Sequence, residues 1–247
     1  MWGKGSSVME DARVRRAGSF GAGAAAYERG RPGYPVEALR ACLPEHARRV
    51  LDLGAGTGKL TRGLLDLGLD VAAVEPLEEM RALIPSEAQT LAGSAEAVPL
   101  PDACVDAVLV GQAFHWFDHD RALAEIARVL SPAGTVGLLW NLLDDAVPWV
   151  AAVADAFCAE DRASLAAGSP PPWTGVRGLS DPERRLIRHY QPSDAEQLVE
   201  NVASRSTIIL AGVEQRAAVL RRVRDLAPPG RFELPYLCDV WHARRTT

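Results

Sequence analysis

The residues with the clearest chemical use fall in one run, Leu51-Asp52-Leu53-Gly54-Ala55-Gly56-Thr57-Gly58-Lys59-Leu60-Thr61, where an apolar strand turns into a helix through three alternating glycines. A residue without Cβ accepts positive φ and lets a ligand approach the backbone. The helix start adds free N–H donors beside that ligand. The dinucleotide pattern GxGxxG fails because Lys59 stands at its third glycine. The Walker pattern fails because Leu53 occupies its first glycine and Leu60 follows Lys59. What remains is GxGxG preceded by Asp52, then Glu75, 17 residues beyond Gly58 (75 − 58) at the end of a second apolar run. A carboxylate there accepts hydrogen bonds from both hydroxyls of a ribose, the geometry used by nucleotide-binding α/β folds.

Further chemistry-bearing residues flank this loop. His115 and Trp116 lie in Gln112 to Asp120, just past an apolar strand, at the edge where open α/β sheets bind ligands. A histidine there removes a proton from a hydroxyl, orients an acid, or walls the pocket. Asp118 or Asp120 reads as a helix N-cap rather than a metal ligand. Tyr27, Arg31 and Tyr34 sit in Tyr27-Glu28-Arg29-Gly30-Arg31-Pro32-Gly33-Tyr34-Pro35. Arg31 either meets a carboxylate of cofactor or substrate, or belongs to a loop anchored by tyrosines and prolines. Arg205, on a helix of the later chain, either binds an acidic substrate or faces solvent.

The elements that must position these residues alternate between strand and helix, which favours β-α-β units around a mainly parallel sheet. Strands are expected at Val50–Leu53, Val71–Val74, Thr90–Ala92, Val105–Val110 and Val136–Trp140. A helix from about Leu60 to Leu67 ends at Gly68, and Leu123, Ile126, Ala127 and Leu130 mark a second helix. A helix from Pro148 to about Leu165 leads to a loop at Gly168–Pro172. Beyond it are expected a strand at Arg185–Tyr190, a helix at Ala195–Ser204, a helix bearing Val213, Ala217, Leu220, Val223 and Ala227 on one face, and a final edge strand at Phe232–His242. Residues 1–18 read as a disordered leader. Residues 19–247 form one domain: a cofactor-binding core (19–145), a helical lid and substrate-side insertion (146–230) and the final edge strand (231–247).

Composition sets the class. The 247 residues are 48% hydrophobic and 24% charged, with a net charge of −5. That mixture excludes disorder as the main state and argues against nucleic acid as a partner. No apolar run is long enough for a membrane span. Residues 176–247 hold 12 Arg against 9 Asp plus Glu, which either attracts an acidic small molecule or solvates helix faces. Cys42, Cys104, Cys158 and Cys238 fit no zinc or CxxC spacing, so no metal is expected and a cytoplasmic location follows from reduced thiols.

From about Phe20 to Asn141 the chain resembles class I S-adenosylmethionine-dependent methyltransferases, specifically the methyltransferase type 11 or trans-aconitate-methyltransferase-like branch. The resemblance is carried by Tyr27 to Pro35, the glycine loop, Val74-Glu75-Pro76, Gly93-Ser94-Ala95-Glu96 and Gln112-Ala113-Phe114-His115-Trp116-Phe117. It implies a Rossmann-like α/β fold with a seven-stranded sheet in the order 3-2-1-4-5-7-6, strand seven antiparallel, and a lid over the ligand. It further implies S-adenosylmethionine as cofactor, with S-adenosylhomocysteine as product. Gly54, Ala55, Gly56 and Gly58 would face the methionine moiety, Asp52 its amino group and Glu75 the ribose. Pro76 and Met80 would flank adenine, Ser94, Ala95 and Glu96 would meet the edge of the base, and Gln112 would lie beside the methionine chain. Asn141, at the end of the matched region, joins the substrate or lid group. Many relatives carry Asp where Ser94 stands.

The expected activity is methyl transfer to a small organic molecule, O-methylation being favoured, by a monomer or homodimer. The donor's carbon is already electrophilic, so the protein supplies orientation and exclusion of water. Two alternatives stay open: a catalytically silent cofactor-binding or regulatory module, and an NAD(P)-dependent reductase, which conflicts with Lys59 and lacks a YxxxK dyad.

Overall fold

The computed structural model describes residues 28–158 and 172–246. Tyr27, the expected leader, the end of the helix expected to reach Leu165 and most of the loop at Gly168–Pro172 lie outside the described residues.

The elements follow in the order α1 (Val36–Ala41), β1 (Arg49–Leu53), α2 (Lys59–Asp66), β2 (Asp70–Val74), α3 (Glu78–Arg81), β3 (Gln89–Leu91), β4 (Val105–Gly111), α4 (His119–Val129), β5 (Leu130–Leu143), α5 (Pro148–Cys158), β6 (Glu183–Ser193), α6 (Ala195–Ala203), α7 (Ser206–Ile209), α8 (Val213–Leu226) and β7 (Phe232–Arg244). The seven strands form one sheet in the order β3-β2-β1-β4-β5-β7-β6. β7 runs antiparallel to both neighbours, β5 and β6, and the other pairs are parallel. This is the order that the resemblance implies. The final strand, expected at an edge, inserts between β5 and β6 instead. It pairs along its length with β5 on one side and β6 on the other, and its Leu234, Tyr236, Cys238 and Val240 are buried on one face. β6 takes the edge, where Arg184, Arg185 and Arg188 oppose further strand pairing.

Alternation along β1 divides the core. Leu51 and Leu53 pack with Leu123 and Ile126 of α4 on one face, while Val50 packs with Leu39 of α1 and Leu64 of α2 on the other. Each fully buried leucine contributes about 1.5–3 kcal/mol. A third cluster, with Val150, Leu198, Val223 and Tyr236, joins α5, α6 and α8 to the start of β7. α4 begins at the expected cap: the Asp118 carboxylate accepts from Arg121 N–H at 3.3 Å.

The chain leaves β1 toward β2 and β3, then returns to place β4 on β1's other side, so β1 and β4 bracket a topological switch point. The glycine loop and Gln112 stand at the carboxyl ends of these two strands. Among the described residues, no helix is long and apolar enough to cross a membrane.

Candidate functional site

The loop after β1 is built from backbone bonds. Gly54 and Ala55 N–H both donate to Val74 O at 2.9 and 3.0 Å, fastening the turn to the end of β2. Gly54, Gly56 and Gly58 have φ of 75°, 57° and 85°, the left-handed region that side chains avoid. The three glycines are not equivalent in space. A Cβ on Gly54 would come within 2.8 Å of Ala113 Cβ, and one on Gly58 within 2.8 Å of Pro85 Cδ, whereas one on Gly56 would meet nothing within 4 Å. The protein packs against the first and last, and the middle one faces open space.

Glu75 follows β2 and is only 6% exposed. Its Oε2 accepts from Gly56 N–H at 2.9 Å and its Oε1 from Leu77 N–H at 2.9 Å. Burial pushes its pKa up, while these two amides and the nearby Arg81 guanidinium pull it down. Arg81 also donates to the carbonyls of Glu75 and Pro76, which holds the turn after β2.

Asp52 is fully buried beneath the loop. Its Oδ2 accepts from Thr61 Oγ1 at 2.6 Å, which ties β1 to the first turn of α2. Its Oδ1, and Thr57 Oγ1 in the loop that follows, are buried and have no hydrogen-bond partner among the described residues. Burial pushes the Asp52 pKa up to about 7, against the lowering effect of Thr61 and with a further rise from Glu75.

On the far side of Glu75, Met80 is buried on α3 and Pro76 is exposed. Ser94 and Ala97 form an isolated antiparallel bridge around buried Ala95. The Glu96 carboxylate accepts from Asp118 N–H at 2.8 Å, so it joins this turn to the start of α4.

Gln112 sits past the end of β4 at φ 57°, unusual for a residue with a side chain. Its N–H donates to Leu139 O and its Nε2 to Asn141 O, both at 2.9 Å. The hydroxyl of Tyr34 stands where a Cβ on Gly111 would need to be, 2.5 Å away. His115 and Trp116 form a short 3-10 turn, with ring centroids 4.6 Å apart. His115 is exposed at its edge, yet the crowd around its ring desolvates it. That desolvation, with the charges of His119 and Arg31, pushes its pKa down to about 4, leaving a neutral imidazole at neutral pH.

Asn141 is the junction between the sheet and the segment before α1. Its Nδ2 donates to Gly33 O at 3.0 Å, and its Oδ1 meets His189 Nε2 at 2.9 Å. His189 stacks on Tyr236, whose hydroxyl accepts from Asn201 Nδ2 at 2.9 Å. Asn201 Nδ2 also donates to Gly30 O at 2.8 Å, and Arg31 Nε donates to Ser204 Oγ at 2.9 Å. Arg31 and Asn141 thus lie on bonds that tie the segment before α1 to β6, α6 and β7, while Tyr34 packs on Gly111 and Arg205 on Phe157. His189, Asn201, Ser204 and Tyr236 went unnoticed in the sequence. The one available signal was Asn201, a polar residue on the same buried helical face as Leu198 and Val202. Among the described residues, no group of three His, Cys, Asp or Glu side chains is placed to hold a metal ion.

A methyltransferase-domain family model matches residues 51–138, the strands and loops around the glycine turn. An uncharacterized methyltransferase of Mycobacterium tuberculosis is 46% identical over 217 residues, covering 84% of this chain and 85% of the relative. The chain belongs to the class I S-adenosylmethionine-dependent methyltransferases. An uncharacterized methyltransferase-like protein of Schizosaccharomyces pombe is 41% identical to the enzyme over 140 residues, 53% of this chain and 55% of that one. A solved structure from Anaeromyxobacter dehalogenans, assigned to the type II methyltransferases, shares its fold at 23% identity and a TM-score of 0.63, covering 87% of this chain and 97% of that one. Membership removes the reductase alternative, in line with Lys59 at the position where a dinucleotide site needs its third glycine.

Proposed function

We propose that the enzyme transfers a methyl group from S-adenosylmethionine to an oxygen of a small organic acceptor, with the donor lying across the turn from Leu53 to Gly58. The observation that carries this reading is the pairing of open space over Gly56 with a buried carboxylate, Glu75, bonded to that glycine's amide. The residues fit the group. Positive-φ glycines admit close approach, Glu75 offers acceptors for two ribose hydroxyls, and Asp52 Oδ1 and Thr57 Oγ1 are buried polar atoms whose hydrogen-bonding capacity is unspent. Pro76 and Met80 would flank the base, Ser94, Ala95 and Glu96 would meet its edge, and Gln112 would lie beside the methionine chain.

The cofactor supplies an electrophilic methyl carbon on sulfur when bound. The protein's own contribution is alignment and exclusion of water, worth up to roughly 7–11 kcal/mol when reacting atoms are held in line. Trp116 and Tyr34 wall the acceptor side. His115, neutral at neutral pH by the direction of its shift, is the group available to take a proton from a hydroxyl acceptor. Support for oxygen as the acceptor atom comes from a more distant relative, a malonyl-[acyl-carrier protein] O-methyltransferase of Pectobacterium atrosepticum, 36% identical over 105 residues and 40% of this chain.

Thermal denaturation tests the cofactor assignment. S-adenosylmethionine and S-adenosylhomocysteine should each raise Tm by mass action, while NADH and ATP leave it unchanged. A shift with NADH alone overturns the assignment.

A further inference from the structure

Asn141 fixes which nitrogen of the neighbouring histidine carries the proton. Its Nδ2 donates to Gly33 O at 3.0 Å, and a backbone carbonyl only accepts, so the other end of the amide, Oδ1, is the atom that meets His189 Nε2 at 2.9 Å. Oδ1 also only accepts, so Nε2 bears the hydrogen. Burial holds the His189 pKa below its ordinary value, which leaves the ring neutral at neutral pH with its lone pair on Nδ1. Nδ1 makes no hydrogen bond among the described residues and is not sealed from solvent.

The ring is held in place from two sides. It stacks on Tyr236, with centroids 5.4 Å apart and 21° between planes, and Asn141 grips its other nitrogen. In the sheet His189 stands opposite Tyr236, which stands opposite Leu143, the last residue of β5. The imidazole therefore lies at the carboxyl edge, where open α/β sheets bind ligands. Asn141 links it toward the donor's side of that edge, because the Asn141 backbone oxygen accepts from Gln112 Nε2 at 2.9 Å. A purely structural histidine has no use for a second nitrogen kept free in a fixed direction. Asn201, whose Nδ2 reaches Tyr236 Oη, has its own Oδ1 buried and unspent. Acceptors left open in this way are satisfied by a ligand that brings O–H donors, and an ether in the same place leaves them empty.

We propose that His189 Nδ1 accepts a hydrogen bond from a hydroxyl of the methyl acceptor, so that the substrate is an alcohol or phenol, with Asn141 setting the tautomer that makes this possible. This rests on the methyltransferase reading, which puts the acceptor at this edge. The role is recognition, distinct from the proton transfer open to His115.

The full chain, saturated with S-adenosylhomocysteine at neutral pH, is titrated with phenol and with anisole, its methyl ether, while nitrogen NMR of histidine-labelled protein follows the ring. His189 should show a protonated Nε2 and a bare Nδ1, and phenol should move the Nδ1 resonance while anisole does not. Phenol should bind about fivefold or more tightly than anisole, the scale of one hydrogen bond. His189→Phe keeps a flat ring and should abolish that preference, with S-adenosylhomocysteine affinity held within about threefold. His189→Gln, which returns an acceptor without the ring, should restore part of the preference and serves if the phenylalanine variant does not fold. A proton on Nδ1 overturns the proposal, as does phenol binding no tighter than anisole, or a preference for phenol that survives in His189→Phe. Those results leave the cofactor site standing, whereas failure of the wild-type chain to bind S-adenosylhomocysteine overturns the methyltransferase reading and this proposal with it.

Discussion

The N–H of Gly56 donates to Glu75 Oε2 across 2.9 Å, joining the middle of the glycine loop to the acid that ends the second strand. The loop that would face the methionine moiety and the acid that would hold the ribose are thus fixed to each other in advance. Little side-chain entropy is lost when a ligand replaces or supplements this contact, which is the energetic benefit of preorganisation.

The loop glycines should separate stability from binding. Gly54→Ala forces positive φ on alanine and drives its Cβ to 2.8 Å from Ala113, so it should destabilise the fold by roughly 2–4 kcal/mol. Gly56→Ala meets nothing within 4 Å and should cost only about 1–2 kcal/mol of stability. Its methyl occupies the ligand's approach, however, so S-adenosylhomocysteine affinity should fall by more than the stability loss explains. Urea denaturation and calorimetric titration of both variants check this; an equal affinity loss per unit of stability in the two contradicts it.

Asp52 should make stability depend on pH. Its folded pKa is raised from 3.8 to about 7, so the folded state holds a proton that the unfolded chain releases. That contribution is complete below about pH 4 and is lost as pH rises toward 7, with a slope of at most about 1.4 kcal/mol per pH unit. Asp52→Asn removes the titration and keeps an acceptor for Thr61. Tm of Asp52→Asn relative to wild type should therefore climb between about pH 4 and 7 and level off above. A constant difference across that range rejects the raised pKa.

Asn201→Ala should loosen the segment before α1. It removes the donor to both Gly30 O and Tyr236 Oη in a buried setting, at a cost of roughly 2–4 kcal/mol. Hydrogen exchange should accelerate at residues 28–34 more than in β1 and β4. Uniform acceleration over the whole chain would mean that Asn201 supports the fold generally and does not anchor this segment.

Local features of the site were the easiest to read from sequence. Alternating glycines after an apolar run, and an acid closing the next strand, each report on a few consecutive residues, and the structure puts Gly56 and Glu75 in contact. The strand order came from resemblance, because periodicity alone does not say which strands are neighbours. α1 escaped notice since its six residues span too little for a helical repeat to declare itself. β5 begins at Leu130 and runs on through Pro132 and Gly134, residues that read as a turn, and the pairing with β4 shifts register there. The network of Asn141, His189, Tyr236 and Asn201 was illegible because its bonds join residues far apart in sequence, up to 171 positions between Gly30 and Asn201.

Calorimetric titration of S-adenosylhomocysteine into wild type and Glu75→Ala tests the central claim most directly. The account predicts one site per chain in the wild type, and in the variant an affinity weaker by roughly 10–100-fold, the scale of one or two charge-assisted hydrogen bonds, with a cooperative melt retained. An unchanged dissociation constant in a folded Glu75→Ala protein would contradict it.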